Sequence, residues 1–378
     1  MMKSLNKKQM EGNIKIIISG GGTGGHIFPA IAIANAIKEL CPSADFLFVG
    51  ALGKMEMQRV PDAGYPIEGL PIMGFNRKKL WKNIKVLYLL FKSQQLARKI
   101  IKDFKPNVAV GVGGYASGPT LNVASKKGIP ILIQEQNSYA GITNKILGKK
   151  ANLICVAYPN MERFFPQEKI ILTGNPVRQS LLKAIAKEEA LDRLHLKKDK
   201  KTVLIVGGSL GAQSINESVA AQLDLIRSHP EIQFIWQTGK LYFNRIEKML
   251  NETSPIPNLQ IRPFIKEMEI AYAASDLIIS RAGAGSISEF CLLRKAVILV
   301  PSPNVAEDHQ TKNAMALVEK KAALYIKDSN AEKELIPTAI ESITNDELLN
   351  ELRTNIATLA LPNSATIIAK EVLKLAHK

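Results

Sequence analysis

The sequence predicts an α/β protein of two similar domains facing one another, and three observations carry that prediction. A glycine-rich turn from Gly20 to Pro29 stands between an apolar run and an alanine- and isoleucine-rich segment. The same opening, a strand signal, a glycine loop and a helix signal, returns from Thr202 to Asn216. Elsewhere apolar runs alternate with helical or glycine-rich segments, the pattern of a mostly parallel sheet covered on both faces. At 378 residues the chain also exceeds one ordinary core.

In the first opening, residues 14–18 read as a strand and residues 30–40 as a helix, with Gly20-Gly21-Gly22-Thr23-Gly24-Gly25-His26-Ile27-Phe28-Pro29 between them. Glycines let backbone approach an anion, and Pro29 suits a first helical turn whose free N–H groups favour negative charge. His26 falls at that helix mouth, where an imidazole exchanges protons near neutral pH. The alternative is a purely structural turn. Gly20, Gly22 and Gly25 formally spell GxGxxG, but a dinucleotide site wants an acid at the end of the second strand. Here Phe46-Leu47-Phe48-Val49 ends in Gly50-Ala51, with Asp45 at the opposite end, which disfavours a NAD-dependent oxidoreductase.

Further strands are expected at residues 108–112, 130–133 and 153–156. The first runs into Gly111-Val112-Gly113-Gly114-Tyr115-Ala116-Ser117-Gly118-Pro119, which places N–H groups and a Ser hydroxyl at the ligand-binding edge of the sheet. Tyr115 either packs or binds substrate. Gln134-Glu135-Gln136-Asn137 follows directly on a strand, and four polar side chains on a partly buried rim read as a polar-ligand site. At Gly174-Asn175-Pro176-Val177-Arg178 the apolar rhythm pauses before a lysine-rich stretch. The domain boundary is placed there, giving 1–175, 176–362 and a terminal helix over 363–378 positioned to pack back on the first domain.

The second domain opens with residues 202–206 and Gly207-Gly208-Ser209-Leu210-Gly211-Ala212. Residues 276–280 then lead into Arg281-Ala282-Gly283-Ala284-Gly285-Ser286-Ile287-Ser288-Glu289. This spacing sets Glu289 about one turn into a helix, facing the same crevice as the N–H groups of Ala284 to Ser286. A carboxylate there suits a ribose diol; the alternative is an ordinary Glu stabilised by the helix dipole. After residues 296–301, Glu307-Asp308-His309-Gln310-Thr311-Lys312-Asn313-Ala314 carries polar groups into another helix.

The 50 Lys+Arg against 34 Asp+Glu leave a net charge of +16, which calls for an anionic partner. Aromatics are few and no nucleic-acid-reading motif occurs, so an acidic membrane or a polyphosphate substrate ranks above nucleic acid. Cys41, Cys155 and Cys291 are far apart and read as reduced cytoplasmic thiols, and no cluster with metal-ligand spacing occurs. No signal-peptide core and no run of about 20 apolar residues is present. Between Phe75 and Phe104, however, Leu80, Trp81, Ile84, Leu87, Tyr88 and Phe91 interleave with Arg77, Lys78, Lys79, Lys82, Lys85 and Lys92. That stripe reads either as a core-facing helix with a solvated lysine face or as a contact for anionic lipid.

Taken together, the loops GGTGGHIFPA, GVGGYASGP, QEQN, GNPVR, GGSLGAQSIN, SRAGAGSISE and DHQTKNA, in this order, resemble the MurG family, the peptidoglycan N-acetylglucosaminyltransferases of the GT-B class. The resemblance covers essentially the whole chain. It implies two Rossmann-like domains facing across a cleft, the GT-B fold, working peripherally on the cytoplasmic face of the inner membrane without metal or other cofactor. The reaction implied is inverting transfer of N-acetylglucosamine from UDP-N-acetylglucosamine to the C4 hydroxyl of the muramoyl sugar of lipid I, giving lipid II and UDP. By the same resemblance the first domain serves the acceptor and an anionic membrane surface, and the second binds the donor.

On the donor side the resemblance places Arg281 and the Ala284, Gly285, Ser286, Ile287, Ser288 and Glu289 turn around uracil and ribose, with Glu289 on the ribose hydroxyls and Ile265 beside the base. Ser209 and its loop would contact the diphosphate, and Gln310, beside His309, the sugar hydroxyls. Thr23, Gly24, Gly25, Asn137 and Arg178 also match donor positions. The acceptor's diphosphate suits the Gly20 and Gly111 loops, and His26 is the candidate base, with Tyr115 and Glu135 as alternatives. The family often carries Gln where Leu210 stands and a second Gln where His309 stands. A UDP-N-acetylglucosamine epimerase-like or other GT-B enzyme is the nearest rival, and a non-catalytic membrane scaffold leaves the second domain's loops unexplained.

Overall fold

A computed structural model of the protein describes residues 13–74, 83–178, 181, 184–208 and 210–377. The chain divides into two compact units, Met1–Val177 with Pro362–Lys378 and Arg178–Leu361. Ser209 and residues 75–82 of the basic, aromatic segment lie outside the described residues.

The first unit runs β1 (Lys15–Ser19), α1 (Gly24–Leu40), β2 (Asp45–Ala51), α2 (Glu56–Asp62), β3 (Ile67–Leu70), α3 (Asn83–Phe104), β4 (Val108–Gly111), α4 (Ser117–Lys126), β5 (Ile131–Glu135), α5 (Ile142–Gly148), β6 (Leu153–Val156) and β7 (Ile170–Leu172). Its seven strands lie parallel in the order β3-β2-β1-β4-β5-β6-β7. Alternation along β1 feeds both faces: Ile16 and Ile18 enter a core with Ile33 and Ile37 of α1, while Ile17 enters another with Ile101 and Leu121. The chain order reverses between β1 and β4. Ligands of such sheets bind outside the strands' carboxyl ends at that reversal, and both glycine loops of this unit emerge there.

Helix α1 begins at Gly24, so Pro29 lies inside it, in the second turn and not the first. The helix tolerates it because the buried ring packs in the core, at the cost of one amide hydrogen bond to Gly25. Strand β5 likewise extends further than the apolar run, taking in Gln134 and Glu135.

The second unit runs α6 (Lys187–Arg193), β8 (Lys201–Val206), α7 (Gln213–Ala221), α8 (Leu223–Arg227), β9 (Ile232–Gln237), α9 (Phe243–Asn251), β10 (Leu259–Arg262), α10 (Met268–Ala274), β11 (Leu277–Ser280), α11 (Ala284–Leu293), β12 (Ala296–Leu299), α12 (His309–Val318), β13 (Leu324–Tyr325), α13 (Ala331–Thr344) and α14 (Asp346–Ala357). Its six strands are parallel in the order β10-β9-β8-β11-β12-β13, with the reversal between β8 and β11. Val203 and Ile205 pack towards α7 and α13, and Leu204 and Val206 towards α10 and α11. Two such parallel sheets, each with a reversal of chain order, are the Rossmann-like pair that the sequence predicts. The chain ends in α15 (Ser364–Ala376), which returns to the first unit and packs on α1 through Ile368, Ala369 and Val372.

Strands β3, β7, β9, β10 and β13 are not anticipated from the apolar runs. Four are short strands at or near sheet edges, and β9 carries Gln233 and Gln237. Both glutamines are buried because their amides are bonded, Gln233 to the backbone at Lys197 and Gln237 to the Gly208 carbonyl.

Candidate functional site

In the first unit, pairing of Ser19 with Gly111 sets the loops after β1 and β4 side by side. A Cβ on Gly114 would lie 2.3 Å from the Gly21 carbonyl oxygen, and one on Gly113 (φ +90°) would lie 2.9 Å from His26 Nε2. Glycine is what lets the loops and the imidazole meet. His26 is the third residue of α1, and its Nδ1 lies 3.2 Å from Thr23 Oγ1. Thr23 stands at the helix N-cap but spends its hydroxyl on the imidazole instead of a helix amide. Gly24 and Gly25 begin the helix, where amides have no intrahelical acceptor.

Tyr115 both packs and stays accessible. It is half exposed, while its ring rests against Gly74, where a Cβ would fall 2.3 Å from the hydroxyl. The Ser117 hydroxyl is buried and donates to the Gly114 carbonyl at 3.0 Å, so it shapes the loop.

The polar run at the end of β5 departs from its reading as an open ligand rim. Glu135 is 1% exposed and accepts four hydrogen bonds: from Asn137 N (3.0 Å) and Nδ2 (3.1 Å) on one oxygen, and from Gly141 N (3.1 Å) and Asn144 Nδ2 (2.9 Å) on the other. Gln134 donates to Asn175, Asn175 to the Gln136 carbonyl, and Gln136 to the Val112 carbonyl. The partners that buried polar groups require come from the protein itself, and of the four only Asn137 is partly exposed. Glu135 thus clamps the turn that presents Asn137.

In the second unit, the loops after β8 and β11 border a polar cavity of about 460 Å³ whose lining includes Gly207, Gly211, Ser214, Arg281, Gln310 and Asp328. Arg281 is fixed on three sides. It pairs with Asp328, donates to the Val300 carbonyl at 3.0 Å and to Ser214 Oγ at 2.8 Å, and Ser214 in turn donates to Asp328 at 2.6 Å. Gln310 Oε1 accepts the Ser302 amide at 2.8 Å. Gln237 ties the glycine loop to the neighbouring segment: Nε2 donates to the Gly208 carbonyl (2.8 Å) and Oε1 accepts the buried Ile265 amide (3.1 Å).

Neither Ile265 nor Glu289 lines that cavity. Glu289 is the sixth residue of α11 and is buried. One oxygen accepts Arg178 Nη2 (3.0 Å) and Nε (3.2 Å), the other Tyr272 Oη (3.0 Å). Burial pushes the carboxyl pKa up, against the opposing pull of Arg178. Burial likewise lifts the Tyr272 phenol, which stays a hydrogen-bond donor. Ala284, Gly285 and Ser286 form the first turn of α11 with no acid among them, Ser288 Oγ donates back to Ala284, and Ile287 is core.

Sequence reasoning missed Asp328, Ser214, Gln237 and Tyr272, whose partners are far away in the chain and whose spacing announces nothing. It also left α3 open between two faces. Ile84 is 75% and Phe91 59% exposed, with Leu87 and Tyr88 beside them, whereas Val86, Ala97 and Ile100 face the core. The apolar stripe is therefore on the solvent side. Among the described residues no helix is long and apolar enough to cross a membrane, and no group of three His, Cys, Asp or Glu is placed to hold a metal.

Comparison with known proteins agrees with this architecture. Residues 16–156 match the glycosyltransferase family 28 N-terminal domain and residues 202–368 its C-terminal domain. A curated protein of Bacteroides fragilis, named UDP-N-acetylglucosamine--N-acetylmuramyl-(pentapeptide) pyrophosphoryl-undecaprenol N-acetylglucosamine transferase, is 63% identical, with all of both chains covered. The crystal structure of Acinetobacter baumannii MurG superposes with a TM-score of 0.76 at 28% identity, covering 96% of this chain and 99% of that one. A UDP-GlcNAc 2-epimerase from Neisseria meningitidis, bound to UDP-GlcNAc, reaches a TM-score of 0.64 at 15% identity, covering 96% of this chain and 100% of that one. This second likeness is one of fold.

Proposed function

This chain belongs to the MurG family within glycosyltransferase family 28, and from that premise we propose how its loops divide the work of the transfer. The protein is a UDP-N-acetylglucosamine-dependent N-acetylglucosaminyltransferase whose acceptor is N-acetylmuramyl-(pentapeptide) pyrophosphoryl-undecaprenol. The observation that carries this is identity of 63% over the whole length of both chains, which takes in every strand-end loop.

The C4 hydroxyl of the muramoyl sugar is the nucleophile and attacks the anomeric carbon with inversion, releasing UDP. A sugar hydroxyl is a poor nucleophile until a base takes its proton, and UDP departs when its growing charge meets fixed dipoles or cations. His26 is that base. In its support, the side chain stands at the mouth of α1 with Nδ1 near Thr23 and Nε2 by the Gly113 backbone. Glu135 has all its acceptor positions occupied within the protein, which favours holding Asn137 over taking a proton. Tyr115 lines the acceptor.

On the donor side, Glu289 takes the ribose hydroxyls, Ile265 packs by the uracil and Gln310 holds the sugar hydroxyls. Arg281 and the turn from Ala284 to Ser288 cradle the uracil and ribose, and the Ser209 loop meets the diphosphate. Thr23, Gly24, Gly25, Asn137 and Arg178 complete the donor set. The exposed apolar face of α3, flanked by Lys85 and Lys92, rests on the anionic cytoplasmic surface of the inner membrane, where the lipid acceptor lies.

The test is transfer of labelled N-acetylglucosamine from its UDP donor to a short-chain lipid I analogue, with chelator present, by wild type and by His26→Ala. Product and UDP are expected from wild type, and loss of turnover by about 100-fold or more from the variant. Near-normal turnover by His26→Ala removes the base assignment. Conversion of UDP-N-acetylglucosamine without acceptor, in place of transfer, points to epimerase chemistry.

A further inference from the structure

We propose that Glu56 is a positioning residue of the transfer reaction. Its buried carboxylate fixes the glycine loop that carries Thr23 to His26. Glu56 opens α2, 1% exposed, with Oε2 2.9 Å from the Gly22 amide and Oε1 3.0 Å from the Ala51 amide. It thereby ties the loop after β1 to the end of β2.

Two glycines are explained by this side chain. A Cβ on Gly50 would stand 2.5 Å from Glu56 Cγ, and one on Gly21 (φ +148°) 2.1 Å from Oε1. A dinucleotide site presents an acid at the end of the second strand to the cofactor's ribose. Here Gly50 clears that position, and a carboxylate arrives from the next helix turned inwards. Its charge is satisfied by two amides, and charge-assisted bonds of this kind are the strong ones. The Gly22 amide is then unavailable to a substrate anion, and the first amides of α1, at Gly24 and Gly25, are left to receive substrate.

The proposal rests on the reading that this loop and His26 act in the transfer, and the experiment separates the two. Transfer kinetics are measured on the full chain for Glu56→Gln, Gly50→Ala, Glu56→Ala and the Gly50→Ala/Glu56→Ala double variant. UDP binding by calorimetry reports on the second unit. Glu56→Gln sets an amide N–H₂ against a backbone N–H, and Gly50→Ala displaces the carboxylate from outside the loop. Each is expected to lower kcat about tenfold or more, with UDP affinity changed less than about twofold. Gly50→Ala should cost little further once Glu56→Ala has removed Cγ, the non-additivity of a contacting pair.

Full turnover by Glu56→Gln while His26→Ala is inactive overturns the proposal. So does a Gly50→Ala effect that multiplies with Glu56→Ala. If His26→Ala is itself active, the functional reading of the loop is what fails.

Discussion

Glu289 illustrates what a single buried carboxylate requires. Desolvation disfavours its charge and pushes the pKa up, and Arg178 and Tyr272 oppose that push by donating three hydrogen bonds. Tyr272→Phe removes the sole donor given to Oε2 by a side chain of α10, leaving that oxygen buried and under-satisfied. It is expected to cost about 1–3 kcal/mol of stability in urea titrations. If Glu289 holds the ribose, donor KM rises several-fold while kcat is largely kept, since the bond orients a binding group and not the reacting atoms. An unchanged donor KM would separate Tyr272 from nucleotide binding.

Lys295 offers a pH test of another buried group. Burial pushes its ammonium down to about 8, and it donates to the Ser275 carbonyl beside an Asp276 already engaged by Lys187 and Arg353. Below that pH the folded and unfolded chains both carry the proton, and the cost of burying the charge is present in full. Between about 8 and the ordinary lysine value of 10.5 the folded chain sheds the proton first, so this contribution to stability rises with pH. Wild type should therefore gain on Lys295→Met between pH 7.5 and 9.5 (two buffers chosen to bracket the folded value), read as the difference in urea midpoints. A constant difference would mean that Lys295 keeps its ordinary proton affinity.

At the scale of elements, α3 separates what periodicity reveals from what it leaves open. Helical spacing of Ile84, Leu87 and Phe91 is legible in the sequence, but the side on which the stripe lies is not, because the opposite face carries a second apolar set at helical spacing, Val86, Ala97, Ile100 and Ile101, and that set is the one that meets the core. The strand-end loops were legible for the converse reason: strand, glycines and helix are adjacent in the chain, so local chemistry specifies them. Their supports were not, since Asp328 reaches Arg281 and Glu56 reaches Gly22 from distant segments. For α3, Leu87→Glu with Phe91→Glu is expected to change stability by no more than about 0.5 kcal/mol, because both side chains are exposed. The same pair should weaken binding to anionic vesicles, and binding by wild type should fall with salt. Vesicle binding that survives both substitutions would leave the exposed face without a lipid role.

At the scale of the whole molecule the two units differ in how the chain builds them. The second is continuous over Arg178–Leu361, with its apolar clusters drawn from that stretch alone. The first is discontinuous: α15 returns to cover α1, and Ile368, Ala369 and Val372 are fully buried in the same core as Ile33 and Ile37. Removing 362–378 strips that face of α1 to water, and even Ile368→Ala alone should cost about 2–5 kcal/mol. A fragment of residues 178–361 is therefore expected to fold with a cooperative transition and to bind UDP, while a fragment of residues 1–177 is expected to aggregate or bind apolar dyes. Adding a peptide of residues 362–378 should restore cooperative unfolding to the first fragment, because the missing layer is one short helix whose Ile368, Ala369 and Val372 complete the core around α1. Cooperative folding of 1–177 unaided would mean that α15 decorates the first unit without completing its core.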